Sequence, residues 1–466
     1  MNDSANKTSH PQVTARLAEF ASGLRYDDLP REAMHEVKRA LLDFVGCALL
    51  GAQHKTVGVL LAHLERMRGA AALAVSDGVS VIGRGERVEP VAGAWVNGTM
   101  GHVYDFDDVH TAAGIHPGII VVPAALAAAE MNGSSGREVV AAMAAGYEVA
   151  GRVGLATQLT HYEPGWHSTG TVGTLGAAAA AINLLRLDAT QATHALGAAA
   201  SHAAGLRVSF GSMVKPLHAG NACANGLQCA SLAQLGLTGP LEGLEGSRGF
   251  FEVACGAIDQ QSILTALGRE YRFLRKGYKL YSCGGVVHPA LDAVLALRGR
   301  LGTAYDRIRS MHAVVHPQVL EQMRIKEPRT GMQSKFSPFH AIAVTLLDGQ
   351  ALPAQFTDAR AVENDVVALR QKVSIESSTA LRKDETKLTV TLADGTRLEH
   401  HTEHARGYSP DNPPSDADLQ QKFMSLAVPV LGDTRSAELA ERIWGLDVDK
   451  NLSALMALCR SEAPAA

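Results

Sequence analysis

The sequence predicts a mainly helical protein with a smaller α+β domain set into a large, discontinuous helical one. Three features predict this. Roughly the first 270 residues carry Ala- and Gly-rich apolar segments at helical spacing. Short alternating runs and one Asp-Gly turn then predict strands between residues 308 and 401. After the break Asp411-Asn412-Pro413-Pro414, helical patterning returns.

In order, Pro30 suits a first-turn position, and Met34, Val37, Leu41 and Phe44 follow at helical spacing. Segments 91–100, 121–131, 138–155, 169–185 and 189–205 repeat the pattern, and their small residues let helix backbones approach closely. The character changes near Tyr271. Residues 308–315 and 373–376 read as strands, and 387–392 with 396–401 form a hairpin across Ala393-Asp394-Gly395. Helices are expected over 290–301 and 339–347, and again over 416–426 and 434–446. The expected domains are helical over 1–272, α+β over 273–410 and a helical return over 411–466. No repeat of 20–50 residues is present.

Composition narrows the function. Of 466 residues, 46% are hydrophobic and 19% charged, a globular balance. A net charge of −4 and the lack of a long Lys/Arg run argue against nucleic-acid or anionic-membrane partners. Six cysteines include no C-x-x-C pair, so no structural zinc site is expected. The polar stretch 1–12 lacks the apolar core of a signal peptide, which makes the cytoplasm the expected compartment. Residues 173–185 are apolar but too few to span a bilayer.

Common signatures are missing: no phosphate-binding loop, no nucleophile elbow and no H-E-x-x-H. Gly170-x-x-Gly173-x-x-Gly176 has the wrong spacing for a dinucleotide fingerprint and reads as a helix-packing face. Four clusters carry chemistry instead. His102 to His116 packs three carboxylates and three imidazoles into fifteen residues, a density that suits proton transfer or a metal held by Asp105, Asp107, His110 and His116. Asp105-Phe106-Asp107-Asp108 also spells D-x-D-D, but 5% aromatic residues are too few for a carbocation pocket. Trp166-His167-Ser168-Thr169-Gly170 precedes a helix start, which favours anions nearby. Lys215, expected in extended backbone before Pro216, lies in an apolar setting that calls for an anionic partner. Tyr281 to Gly285 with His288, and Lys335-Phe336-Ser337-Pro338-Phe339-His340, complete the set.

The runs His102–Pro123, Gly146-Tyr147-Glu148-Val149, His167 with Gly173-Thr174-Leu175-Gly176, Lys215-Pro216-Leu217-His218-Ala219-Gly220, Lys335-Phe336-Ser337 and Leu347-Asp348-Gly349 resemble the MmgE/PrpD family over nearly the whole chain. The resemblance implies a helical domain with an α+β lid, a homodimer, and a metal- and cofactor-free site in the cleft between domains. It carries site roles to Asp105 and His116, spaced one residue wider than the family pattern, and to His167 and Lys215. His288 is the candidate match where the family often has a basic residue and this chain has Gly284 or Gly285. His340 stands where the family usually has Tyr.

The family's chemistry starts with a proton beside a carboxylate, which requires a base and a cation to hold the growing enolate charge. Lys215 with Arg152 supplies the field; His116, His167 and His340 supply acid and base. His102, Tyr147, His288 and Lys335 are expected to help bind a small polycarboxylate. The leading expectation is an epimerase of an imino- or amino-dicarboxylate such as iminodisuccinate, resting on His340 as a second proton carrier. The alternatives are a 2-methylcitrate-type dehydratase, a cis-aconitate-type decarboxylase and a non-catalytic polycarboxylate-binding protein.

Overall fold

The computed structural model describes residues 12–302 and 305–461, so the polar stretch at 1–11 lies outside the described residues. Helices α1 (Val13–Gly23), α2 (Arg31–Gly51), α3 (Lys55–Arg68) and α4 (Pro90–His102) open the chain, with a short antiparallel pair, β1 (Val79–Ser80) and β2 (Arg87–Val88), before α4. Then come α5 (Gly118–Asn132), α6 (Gly136–Thr157), α7 (Ser168–Leu184), α8 (Ala189–Ser201) and α9 (Val214–Gln234). α7 is buried along its whole length and α5 along nearly all of it. A helix apolar on every side has no face for water and becomes the centre of the bundle. The expected glycine face of α7 is real: a Cβ on Gly176 would sit 2.8 Å from Ala150 Cβ and 3.0 Å from the Gly146 carbonyl of α6. By length and composition α6 could cross a membrane, yet 89% of its apolar window is buried inside the bundle.

The sequence expected Lys215 in extended backbone. Instead it lies in the first turn of α9, and Pro216 follows in that turn, where a missing N–H breaks no helical bond. The segment read as a helix to 205 ends at Ser201, and the one read to 426 runs through Pro429 to Leu431. α10 (Gln260–Leu264) closes this first part.

The second part holds α11 (His288–Leu301), β3 (Ile308–Val315), the short α12 (Gln318–Gln322) and α13 (Gly331–Ser334), α14 (Pro338–Asp348), α15 (Asn364–Arg370), β4 (Val373–Ser377), β5 (Thr386–Leu392) and β6 (Arg397–Thr402). The sheet order is β4-β3-β5-β6, with β3 parallel to β4 and antiparallel to β5. β3 alternates buried and more open residues, and its inward side chains pack with α11 and α14 into a second hydrophobic core. At the hairpin, Gly395 takes φ +87° and Asp394 Oδ1 accepts from Thr396 N–H at 2.9 Å. We call this part the lid.

α16 (Asp416–Leu431), α17 (Asp433–Trp444) and α18 (Ser453–Cys459) return to the first core, α16 packing on α2. Two crossovers therefore join the lid to the helical body, 276–283 going out and 403–415 coming back. They run side by side: Tyr278 N–H donates to the Gly407 carbonyl at 2.8 Å, and a Cβ on Gly277 would come within 2.3 Å of the Tyr408 carbonyl. All six cysteines are buried and unpaired.

Candidate active site

α4 ends at His102, and the chain turns sharply before α5. Asp105, in that turn, takes φ +52°, a conformation a short polar side chain tolerates but that needs support. The support comes from four successive carbonyls. Lys335 donates to Val103 O at 2.8 Å, Ser282 Oγ to Tyr104 O at 2.8 Å and Lys279 to Asp105 O at 3.1 Å. Lys422, from α16, donates to Phe106 O, and also to Lys279 O at 2.8 Å and Asp43 Oδ1 at 2.6 Å. Crossover, lid and return helix thus all grip one loop.

The carboxylates of that loop divide the work. Asp105 Oδ1 accepts from Lys215 Nζ at 2.6 Å and Lys279 Nζ at 2.8 Å. Asp107 lies between two imidazoles, with His102 Nδ1 2.8 Å from Oδ1 and His116 Nδ1 2.8 Å from Oδ2. His116 Nδ1 is also 2.9 Å from the Asp108 carbonyl, so Nε2 is the nitrogen left for the pocket. Asp108 is structural: it accepts from Gly118 N–H at the start of α5 at 2.7 Å and pairs with Lys276 at 3.0 Å.

Burial alone would raise Asp105, but the two ammonium groups overcome it and hold it below the usual carboxylate range. Asp107 is likewise held well below it by its imidazoles against the pull of burial. Burial keeps His102 neutral, at about 4, and pushes His167 well below the usual imidazole value. Lys215 is lowered by burial despite Asp105, and Lys335 is pushed down to about 7.

Asp105, His116, His167 and Lys215 all line one pocket, where Lys279, Phe210, Phe336 and Tyr408 join them. His167 immediately precedes α7, and its Nδ1 lies 3.0 Å from His218 Nδ1. The pocket's free space is about 60 Å³. That space is small beside the roughly 300 Å³ at which small-molecule sites usually begin. A larger cleft of about 1260 Å³ lies elsewhere, but its Arg84 is paired with Glu86 and its Arg442 with Asp449.

The other expected residues fall outside the pocket lining. His340 is buried in the lid core, where its Nε2 meets the Gln355 carbonyl at 2.9 Å. It follows the Ser337 cap of α14, so helix geometry turns it inward. Arg152 is enclosed in the helical body by Glu148 and the carbonyls of Ile263, Thr265, Ala266 and Glu270. Tyr147 backs Asp108 at 3.3 Å. His288 is buried between Tyr281 and Tyr408 at about 3, far below the usual imidazole value because of that burial. His102 and Lys335 support the loop that carries Asp105 and Asp107 from behind. His110 faces the Arg272 carbonyl at 3.2 Å; the four groups whose ligand atoms converge within 4.8 Å are His102, Asp105, Asp107 and His116. Two ammonium groups on Asp105 compete directly with any cation there.

Sequence reasoning missed Lys279, Lys422, His218 and Tyr408. The signal for Lys279 existed: like Lys215, it sits in an apolar run, Tyr278-Lys279-Leu280-Tyr281.

Residues 15–262 match the family model described as the MmgE/PrpD N-terminal domain, and residues 281–446 match the MmgE/PrpD C-terminal domain. The chain is 28% identical over 496 residues to a cis-aconitate decarboxylase of Aspergillus terreus, covering 99% of each chain. It is 27% identical over 473 residues to the cis-aconitate decarboxylase of Homo sapiens, covering 97% of this chain and 95% of the relative. It is 28% identical over 439 residues to that of Mus musculus, covering 90% of this chain and 87% of the relative.

Proposed function

Since the chain belongs to the MmgE/PrpD family, we propose that it is a cofactor-independent lyase that decarboxylates a small unsaturated polycarboxylate of the cis-aconitate type. One observation carries the reading: Lys215 and Lys279 converge on Asp105 beside the Asp107-backed His116 in one pocket. Two ammonium groups over one carboxylate leave a net positive charge for a substrate carboxylate.

The chemistry needs one proton and no base. The bond from the CH₂ carbon to its carboxylate breaks and releases CO₂. Its electron pair forms the new double bond to the central carbon. The old double-bond pair takes a proton at the CH carbon beside its own carboxylate. Charge that builds on that carboxylate is held by Lys215 and Lys279. His116 delivers the proton from Nε2, with Asp107 stabilising the charged ring. The rings of Phe210 and Phe336, whose centroids are 5.6 Å apart, line the pocket 5.4 and 5.3 Å from Lys215 Nζ.

Epimerisation of iminodisuccinate would need a second proton carrier on the opposite face. The residue that favoured it, His340, is bonded inside the lid, and the relatives that match nearly end to end are named as decarboxylases. The test is a substrate panel. Purified protein is incubated separately with cis-aconitate, 2-methylcitrate and iminodisuccinate, and products are followed by NMR and CO₂ release. Decarboxylation of cis-aconitate is expected. Turnover confined to racemisation of iminodisuccinate, or to dehydration of 2-methylcitrate, would replace this reading with that one.

A further inference from the structure

The pocket holds two phenols that the decarboxylation leaves without a role. Tyr162 comes from the π-helical turn 158–162 of the helical body, and Tyr408 from the returning crossover; both line the pocket. Four other tyrosines bond acids: Tyr26 to Asp447, Tyr147 to Asp108, Tyr278 to Glu36 and Tyr281 to Asp292; the unpartnered hydroxyl of Tyr271 lies outside this pocket's lining. The hydroxyls of Tyr162 and Tyr408 have no partner among the described residues. Unpartnered donors on the wall of the pocket are available to a ligand.

Both rings are fixed although their hydroxyls are free. The Arg207 guanidinium lies 4.2 Å from the Tyr162 ring centroid and donates to the Tyr162 carbonyl at 2.9 Å. Tyr408 packs against His288 at 5.2 Å and lies directly over Gly285, where a Cβ would come within 1.9 Å of its Cε2. The glycine at 285 therefore has a physical reason: only a residue without a side chain leaves room for this ring. Burial pushes Tyr162 up to about 12 and raises Tyr408 as well, with Tyr162 adding to it, so both hydroxyls stay protonated and act as donors.

We propose that Tyr162 and Tyr408 form a second carboxylate subsite, so that the substrate carries at least two carboxylates, one on Lys215 and Lys279 and one on the two phenols. This rests on the polycarboxylate reading above and names what that pocket selects. Neutral donors suit such a subsite, because they bind a carboxylate without leaving a further buried charge unpaired when the pocket is empty. Two O–H groups match the two oxygens of one carboxylate.

The test measures binding rather than turnover. Calorimetry compares propane-1,2,3-tricarboxylate with butyrate on the wild-type protein, Tyr162→Phe and Tyr408→Phe. Each substitution keeps the ring and removes only the hydroxyl. Each is expected to weaken the tricarboxylate about tenfold, as loss of a hydrogen bond to a charged group does, and to leave butyrate unchanged. Gly285→Ala, which displaces the Tyr408 ring, is expected to reproduce the selective loss. An equal loss on both ligands, or no loss on either, overturns the subsite. A wild-type protein that binds the tricarboxylate selectively but decarboxylates nothing would remove the lyase reading and leave the subsite standing.

Discussion

Asp105→Asn removes one charge and nothing else in volume, and it strikes the point where the site is most heavily bound. Lys215 and Lys279 lie 2.6 and 2.8 Å from the same oxygen. At an effective dielectric of about 20, each such contact is worth about 6 kcal/mol before desolvation. Desolvation offsets much of it, and removing one member of a buried ion pair destabilises by about 3–5 kcal/mol. The two ammonium groups are then left facing each other in a buried place, and one is driven to release its proton. The sign follows from linkage. A lysine whose folded value lies below its unfolded value binds more protons when unfolded, so the variant's stability rises with pH through the alkaline range. Urea unfolding at several pH values should show a deficit of about 3–5 kcal/mol near pH 7 that narrows towards pH 9. Activity on cis-aconitate should fall about a hundredfold or more, because the loop at φ +52° loses the group that positions both lysines. A variant within about 1 kcal/mol of wild type, flat in pH and within threefold in kcat/KM, would refute the reasoning.

Lys335→Met replaces an ammonium lowered to about 7 by burial, so wild-type stability should climb as pH rises from about 7 towards 10 and the variant's curve should be flatter there by denaturant unfolding. Lys422→Met alone leaves Asp43 buried and unpaired and should destabilise by about 3–5 kcal/mol, whereas Asp43→Leu with Lys422→Met should recover most of that stability but not kcat, as melting curves and steady-state kinetics will show, because the Phe106 and Lys279 carbonyls stay ungripped. His340→Leu should cost about 1–3 kcal/mol and leave kcat/KM within threefold, because its ring serves the Gln355 carbonyl; a hundredfold loss of activity with little loss of stability would return it to the site. Prolonged chelation should leave turnover of cis-aconitate unchanged in the same assay, since ammonium groups take the role of the cation at Asp105.

The sequence carries the fold where periodicity is local. β3 is visible as an alternating run, and the hairpin as Asp394-Gly395, because both depend on neighbours a few residues away. α9 is not among the expected helices, because Pro216 reads as a break until its place in the first turn is known. α1 and α3 are likewise not among the expected helices. Within the site, Asp105 and His116 stand out through the density of ionisable groups, and Lys215 through its apolar setting. Lys279 and Lys422 join them from 174 residues beyond Asp105 and from 316 residues beyond Phe106, and nothing local announces that meeting. The carbonyls of residues 103–106 are backbone groups, so no side-chain pattern could reveal that four separate side chains hold them. His340 shows the opposite failure: its motif position suggests chemistry, while the helix cap at Ser337 turns its ring into the lid core.

The most direct test of the central claim is a proton count. cis-Aconitate is turned over in heavy water by chelator-treated protein, and the product is examined by NMR and mass spectrometry. Delivery of a single proton by a pocket acid predicts one molecule of CO₂ and one non-exchanging deuterium per product, placed on the carbon that was the CH of the substrate. Deuterium appearing in recovered substrate with no CO₂ released, or a product formed without deuterium at that carbon, would contradict it.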